Sequence, residues 1–220
     1  INNSIDGAFT VNDWWDLFFK LSKWQLVFDN HKDSDLKHIL QEQIQTCNRS
    51  FSNFIEINYK NIINSNNAEI LSPNIGSKFL IPKLKQNKKV CLIVIDCMRC
   101  DQFLAVIPYL ETLFKITISY HLSLIPSVTS FSRNAIFSGL YPDELINRYP
   151  KQKELFMNSE NGLNKFEFNF LLDQLSRNGL NDKKVHYHKI WALEEGINFK
   201  KKLENYLKND VLALVVNFVD

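Results

Sequence analysis

Val90-Cys91-Leu92-Ile93-Val94-Ile95-Asp96 is a run of six apolar residues closed by a carboxylate. A run this short and this apolar reads as a parallel-sheet strand covered on both faces. Val211-Leu212-Ala213-Leu214-Val215-Val216-Asn217-Phe218 has the same character and leads through Val219 to Asp220. In open α/β sheets, ligands sit outside the carboxyl ends of the strands. Asp96 and Asp220 are therefore the first candidates for a functional edge.

Working outward from these runs, the pattern alternates. A helix is expected over 98–114, interrupted at Pro108, then a strand over 116–124 and a helix over 129–137. A loop rich in Asn, Lys and Glu follows over 147–165, then a helix over 166–177 that Asn178-Gly179 ends. A strand over Val185–Ile190, a helix over 198–208 and the strand beginning at Val211 complete the series. Strands alternating with helices predict an α/β domain whose mainly parallel sheet is flanked by helices.

Upstream, residues 10–65 read as an antiparallel helical pair. Thr10 or Asn12 caps the first helix, whose apolar residues Trp14, Leu17, Phe18, Leu21 and Trp24 recur at three and four. The second begins near Ser34 and carries Leu36, Leu40, Ile44, Cys47, Phe51, Phe54 and Ile55 at the same spacing. The Trp14-Trp15 pair reads as packing. The expected organisation is a helical connector over 1–65, a short linker over 66–77 and the α/β domain over 78–220.

Composition narrows the function classes. The 220 residues are 45% hydrophobic and 23% charged, which is globular and not disordered. No apolar run approaches the roughly 20 residues of a bilayer span, so a membrane partner is not expected. A net charge of +2 does not argue for nucleic acid. The 21 Lys against 5 Arg, beside 25 Asn, match the bias of an A+T-rich genome, so Lys runs such as 83–89 and 200–202 read as solvated faces. Four cysteines and no signal peptide predict a cytoplasmic setting. The chain starts at Ile1 and stops at Asp220 without a closing turn, and so reads as part of a longer protein.

The stretch Ile125-Pro126-Ser127-Val128-Thr129-Ser130-Phe131-Ser132-Arg133-Asn134 carries the chemistry. It takes the chain through a turn and hydroxyl residues into a helix, whose N-terminus is a ready anion site. A threonine hydroxyl is a weak nucleophile until a base or a metal activates it. Asp96 and Asp220 are hard oxygen ligands suited to Zn²⁺. Thr129 with those two carboxylates is thus a candidate metal-assisted phosphoryl-transfer site. Ser127, Thr129 and Ser130 are equally ordinary helix caps.

Arg133 either neutralises a bound phosphate or faces the surface or a partner. Asn134 and His188 are further candidates for touching substrate, with Lys189 beside the latter at its strand's end. His186 shares a face with His188 and reads as packing. Asp101 could orient Arg99 or a ligand, but reads first as a helix-surface charge. Cys97-Met98-Arg99-Cys100 lacks the second ligand pair of a structural zinc site.

Asp96-Cys97-Met98-Arg99-Cys100-Asp101-Gln102, Pro126-Ser127-Val128-Thr129-Ser130 and Phe137-Ser138-Gly139-Leu140-Tyr141-Pro142, in that order, resemble the PglZ domain of the alkaline phosphatase superfamily. The helical 14–59 region and the closing Val216-Asn217-Phe218-Val219-Asp220 are similar to PorX-type response regulators of Bacteroidota, whose output domain is a PglZ domain. The resemblance covers nearly the whole chain. It implies an alkaline-phosphatase-like fold, incomplete here, with Asp96 as the first metal ligand and Thr129 as the metal-bound nucleophile. It implies that Asp220 is the aspartate of an Asp-x-x-x-His ligand motif whose histidine lies further on.

The implied activity is zinc-dependent hydrolysis of phosphodiesters such as oligonucleotides or cyclic nucleotides. The implied partners are a sensor histidine kinase and a second copy of the chain, in two-component regulation of type IX secretion. Cys97 departs from the resemblance, where a small polar residue, typically Asn, is the norm. It is either a disturbance of the metal site or a small buried filler. The 220 residues alone are expected to be inactive. A non-catalytic regulatory module of the same fold, signalling through protein contacts, is the alternative.

Overall fold

The computed structural model describes residues 10–29, 34–64, 70–152 and 164–217. In chain order the elements are α1 (Val11–Asp29), α2 (Ser34–Asn64), a π-helical turn (Gly76–Leu80) running into α3 (Ile81–Lys85), and β1 (Val90–Ile95). Then come α4 (Cys100–Glu111), α5 (Thr129–Ser138), α6 (Pro142–Arg148), a 3-10 turn (Pro150–Gln152) and α7 (Glu167–Arg177). The series closes with β2 (Val185–Ile190), α8 (Leu193–Lys201), α9 (Leu203–Tyr206) and β3 (Val211–Val216). The chain divides into two compact units, Ile1–Glu69 with Met98–Tyr120, and Ile70–Cys97 with His121–Asp220.

The first unit is helical. Thr10 caps α1 reciprocally with Asp13: Thr10 N and Oγ1 donate to Asp13 Oδ2 at 2.9 and 2.6 Å, and Asp13 N donates back to Thr10 Oγ1 at 3.2 Å. Trp14, Leu17 and Leu21 lie one helical turn apart and bury against Leu40 and Cys47 of α2. The Trp14 ring meets Phe51 edge-on at 5.5 Å. Phe18 and Trp24, expected on the same stripe, are exposed. The helix expected over 98–114 is the shorter α4, and it packs on α1 within this unit.

The second unit is built on a three-stranded parallel sheet of order β1-β3-β2. Val211 lies opposite both Val90 and Val185, and the register runs unbroken to Val216 beside Ile95 and Ile190. All three strands therefore end level. Val211, Ala213 and Val215 join Phe137, Phe170, Leu171 and Leu175 in the core. The expectation that β1 is covered on both faces needs correction. Only β3 is central, whereas β1 is an edge strand in this sheet with Cys91, Ile93 and Ile95 exposed.

The strand expected over 116–124 reduces to one parallel bridge, Leu71 with Leu122. Its β-branched residues have the propensity but gain no ladder partner, and pairing decides. The helix expected over 198–208 begins earlier and is split into α8 and α9. Glycine matters at one point near the site: Gly139 ends α5 with φ 63°, and a Cβ there would stand 2.1 Å from the buried Gln174 amide. No described helix is long and apolar enough to cross a membrane.

Candidate functional site

The level strand ends create an edge, and backbone hydrogen bonds carry the ladder one residue past each strand. Asp96 N donates to Val216 O at 2.9 Å, and Asn217 N donates to Ile190 O at 2.9 Å. Asp96 and Asn217 therefore stand side by side just beyond the sheet. The next residue, Cys97, is exposed and left-handed at φ 56°, a conformation that a non-glycine residue adopts at a cost. That turn ends the strand direction immediately after the carboxylate.

Helix α5 delivers the opposite charge. Arg133 Nη1 donates to Asp96 Oδ2 at 2.7 Å and to Asn217 Oδ1 at 2.9 Å. Its Nε donates to Glu167 Oε1, at the start of α7. Glu167 Oε2 in turn accepts from the Tyr187 hydroxyl and stands 3.1 Å from Lys189 Nζ, both on β2. Lys189 Nζ also donates to Asn164 O at 2.7 Å. The side chains of Arg133 and Glu167 are 5% and 0% exposed, against 27% for Asp96. Two carboxylates thus meet two cations, and the buried charge is balanced. Burial, and then the neighbouring Glu167 carboxylate, push the Tyr187 phenol far above its ordinary range, so it is a neutral donor.

Thr129 is the first residue of α5, and the preceding Val128 makes no side-chain cap. Phe131 N and Ser132 N both donate to Val128 O at 3.0 Å, and no side-chain cap is set against the amides of Thr129 and Ser130 that precede them. Thr129 and Arg133 are one turn apart and share a face of the helix. The structure therefore joins Asp96 to Arg133 directly and sets Thr129 one turn away.

The other expected residues fare differently. Asn134 is buried, with its Nδ2 donating to Ser130 O at 2.8 Å within the helix. His188 lies two residues short of the end of β2, its ring stacked on Phe199 at 5.0 Å between centroids. The Asn134 Oδ1 is buried without a hydrogen-bond partner. Arg133 is committed to two carboxylates and Asn217, not turned outward. Asp220 lies outside the described residues. Asp101 is buried and held bidentately by Arg99, so the surface-charge alternative falls away.

Sequence reasoning missed Glu167. The available signal was its position on the apolar stripe of α7, in step with Phe170, Leu171, Gln174 and Leu175, where an unpaired charge would be costly.

Among the described residues, no group of three or more His, Cys, Asp or Glu side chains is placed to hold a metal ion. The one strand-end carboxylate described, Asp96, faces a guanidinium. The described residues therefore do not by themselves fit a metal centre.

Comparison with known families adds two findings. The family model for the PorX response regulator linker domain matches residues 1–63. That for the BREX system PglZ alkaline phosphatase-like domain matches residues 78–220. No curated protein matches the chain.

Proposed function

Since the chain belongs to the PglZ alkaline phosphatase-like family and carries a PorX-type linker segment, we propose that it serves as the phosphodiesterase output of a response regulator. The observation that carries this reading is the start of α5. The ten-residue α5 has no side-chain cap, and its first two amides and the Thr129 hydroxyl stand one turn from the Arg133–Asp96 pair. Those amides would hold the non-bridging oxygens of a phosphodiester. Thr129 Oγ would then bond to phosphorus as the ester alcohol departs with the proton, and water would release the bound phosphoryl group.

The superfamily is generally metal-dependent, and zinc is the metal proposed for the intact protein. Of its expected ligands, Asp96 and Thr129 are described and Asp220 is not. A cytoplasmic setting, a sensor histidine kinase as the source of the signal, a second copy of the chain and a link to type IX secretion complete the proposal.

One observation favours a second reading. Arg133 engages Asp96 with a full positive charge, which suits a regulatory module that keeps the fold without the chemistry. Hydrolysis of bis(p-nitrophenyl) phosphate by the full-length protein, with and without added zinc, separates the two. The phosphodiesterase reading expects zinc-dependent turnover that Thr129→Ala lowers by about 10³-fold or more. Turnover unchanged by Thr129→Ala would refute the nucleophile. A wild type without turnover even in the presence of added zinc would favour the binding module.

A further inference from the structure

Glu167 has no solvent exposure and belongs to none of the motifs that point to the chemistry. Its carboxylate is gripped from two directions: Arg133 Nε of α5 on one oxygen, Tyr187 and Lys189 of β2 on the other. The guanidinium is a rigid plane whose donors point in set directions. Anchoring Nε on Glu167 therefore aims Nη1, and Nη1 is the atom that holds Asp96 and Asn217. Asp96 and Asn217 lie one residue beyond the ends of β1 and β3, and the guanidinium holds the Asp96 carboxylate directly.

We propose that Glu167 is the positioning residue of the strand-end site, acting through the Arg133 fork on Asp96. Its effect on turnover rests on the phosphodiesterase reading, whereas its effect on Arg133 does not.

The test uses the full-length protein as wild type, Glu167→Gln, Asp96→Asn and the double variant. Arginine-selective ¹⁵N spectra report the Nε–H of Arg133. That proton is expected to exchange slowly in wild type and in Asp96→Asn, and to lose its protection in Glu167→Gln. With bis(p-nitrophenyl) phosphate, Glu167→Gln is expected to lower kcat about 100-fold, as misplacement near 1 Å does, with KM little changed. Because Glu167 acts through Asp96, adding Glu167→Gln to Asp96→Asn should cost no further turnover, whereas a merely structural role would give additive losses.

Glu167→Asp retains the charge one methylene short and keeps the test alive should the glutamine variant not fold. It should lower kcat and shift the Nε–H signal, where simple charge balance predicts neither. Unaltered Nε–H protection in Glu167→Gln, or additive losses in the double variant, would overturn the proposal. If the wild type shows no turnover, the phosphodiesterase reading fails, and the Nε–H signal alone decides the positioning role.

Discussion

Arg99 with Asp101 and Arg133 with Glu167 join the same two chemical groups under opposite conditions. Arg99 reaches two residues along the chain and leaves 61% of its side chain in water. Arg133 and Glu167 come together across 34 residues, and both are shut away from solvent. In the first pair, water still solvates the guanidinium, and the interaction adds little. In the second, each ion has lost its hydration, and removing one partner strands the other. The comparison teaches that the buried pair exists to hold geometry: its guanidinium continues to Asp96 and Asn217, whereas the Arg99 fork is spent on Asp101.

The largest expected effect would break this contrast. Glu167→Ala should destabilise the fold by about 3–5 kcal/mol, because it leaves the buried Arg133 with only one of its two carboxylates and Lys189 with none. Asp101→Ala should move the urea midpoint far less, and comparable shifts in the two variants would erase the distinction.

A middle-sized effect concerns the turn that presents Asp96. Cys97→Asn places a residue that tolerates the left-handed region at φ 56°. It should raise stability by about 0.5–1 kcal/mol in chemical denaturation. The same substitution restores the residue type that the resemblance to PorX-type regulators leads one to expect at this position. A loss of stability would mean that the thiol contributes more than the backbone costs.

The smallest effect sharpens the comparison from the exposed side. Hydrogen bonding from Arg99, working against burial, holds the Asp101 carboxyl below its ordinary range. A carboxyl depressed in the folded state adds stability above its unfolded pKa, near ~3.9, and loses it as pH falls through the folded value. The acid limb of a thermal-stability profile should therefore be slightly shallower in Asp101→Asn below about pH 4. A steeper limb would contradict that sign.

Much of the fold was legible because it is written in local patterns. Val90–Ile95 and Val185–Ile190 coincide with the expected strands, and Thr129 does begin a helix. Thr10 was one of two caps left open, and its exchange of bonds with Asp13 selects it. The misses share a cause. Residues 116–124 have strand-like alternation, but a strand is defined by a neighbour, and among the described residues none aligns beyond the Leu71 bridge. The apolar β1 looked central, yet sheet order exposes one of its faces.

The amino-acid sequence by itself determined the strand-helix alternation, the carboxylate at the end of β1 and the hydroxyl at the start of α5. Each depends on periodicity or on residues within one turn of each other. Only the tertiary structure decided that Arg133 is the partner of Asp96, that Glu167 holds both in place and that β3 is the central strand. Those outcomes join residues 26 to 121 positions apart. Such pairings carry no local signature, because which charge meets which is settled only when packing removes water from around them all.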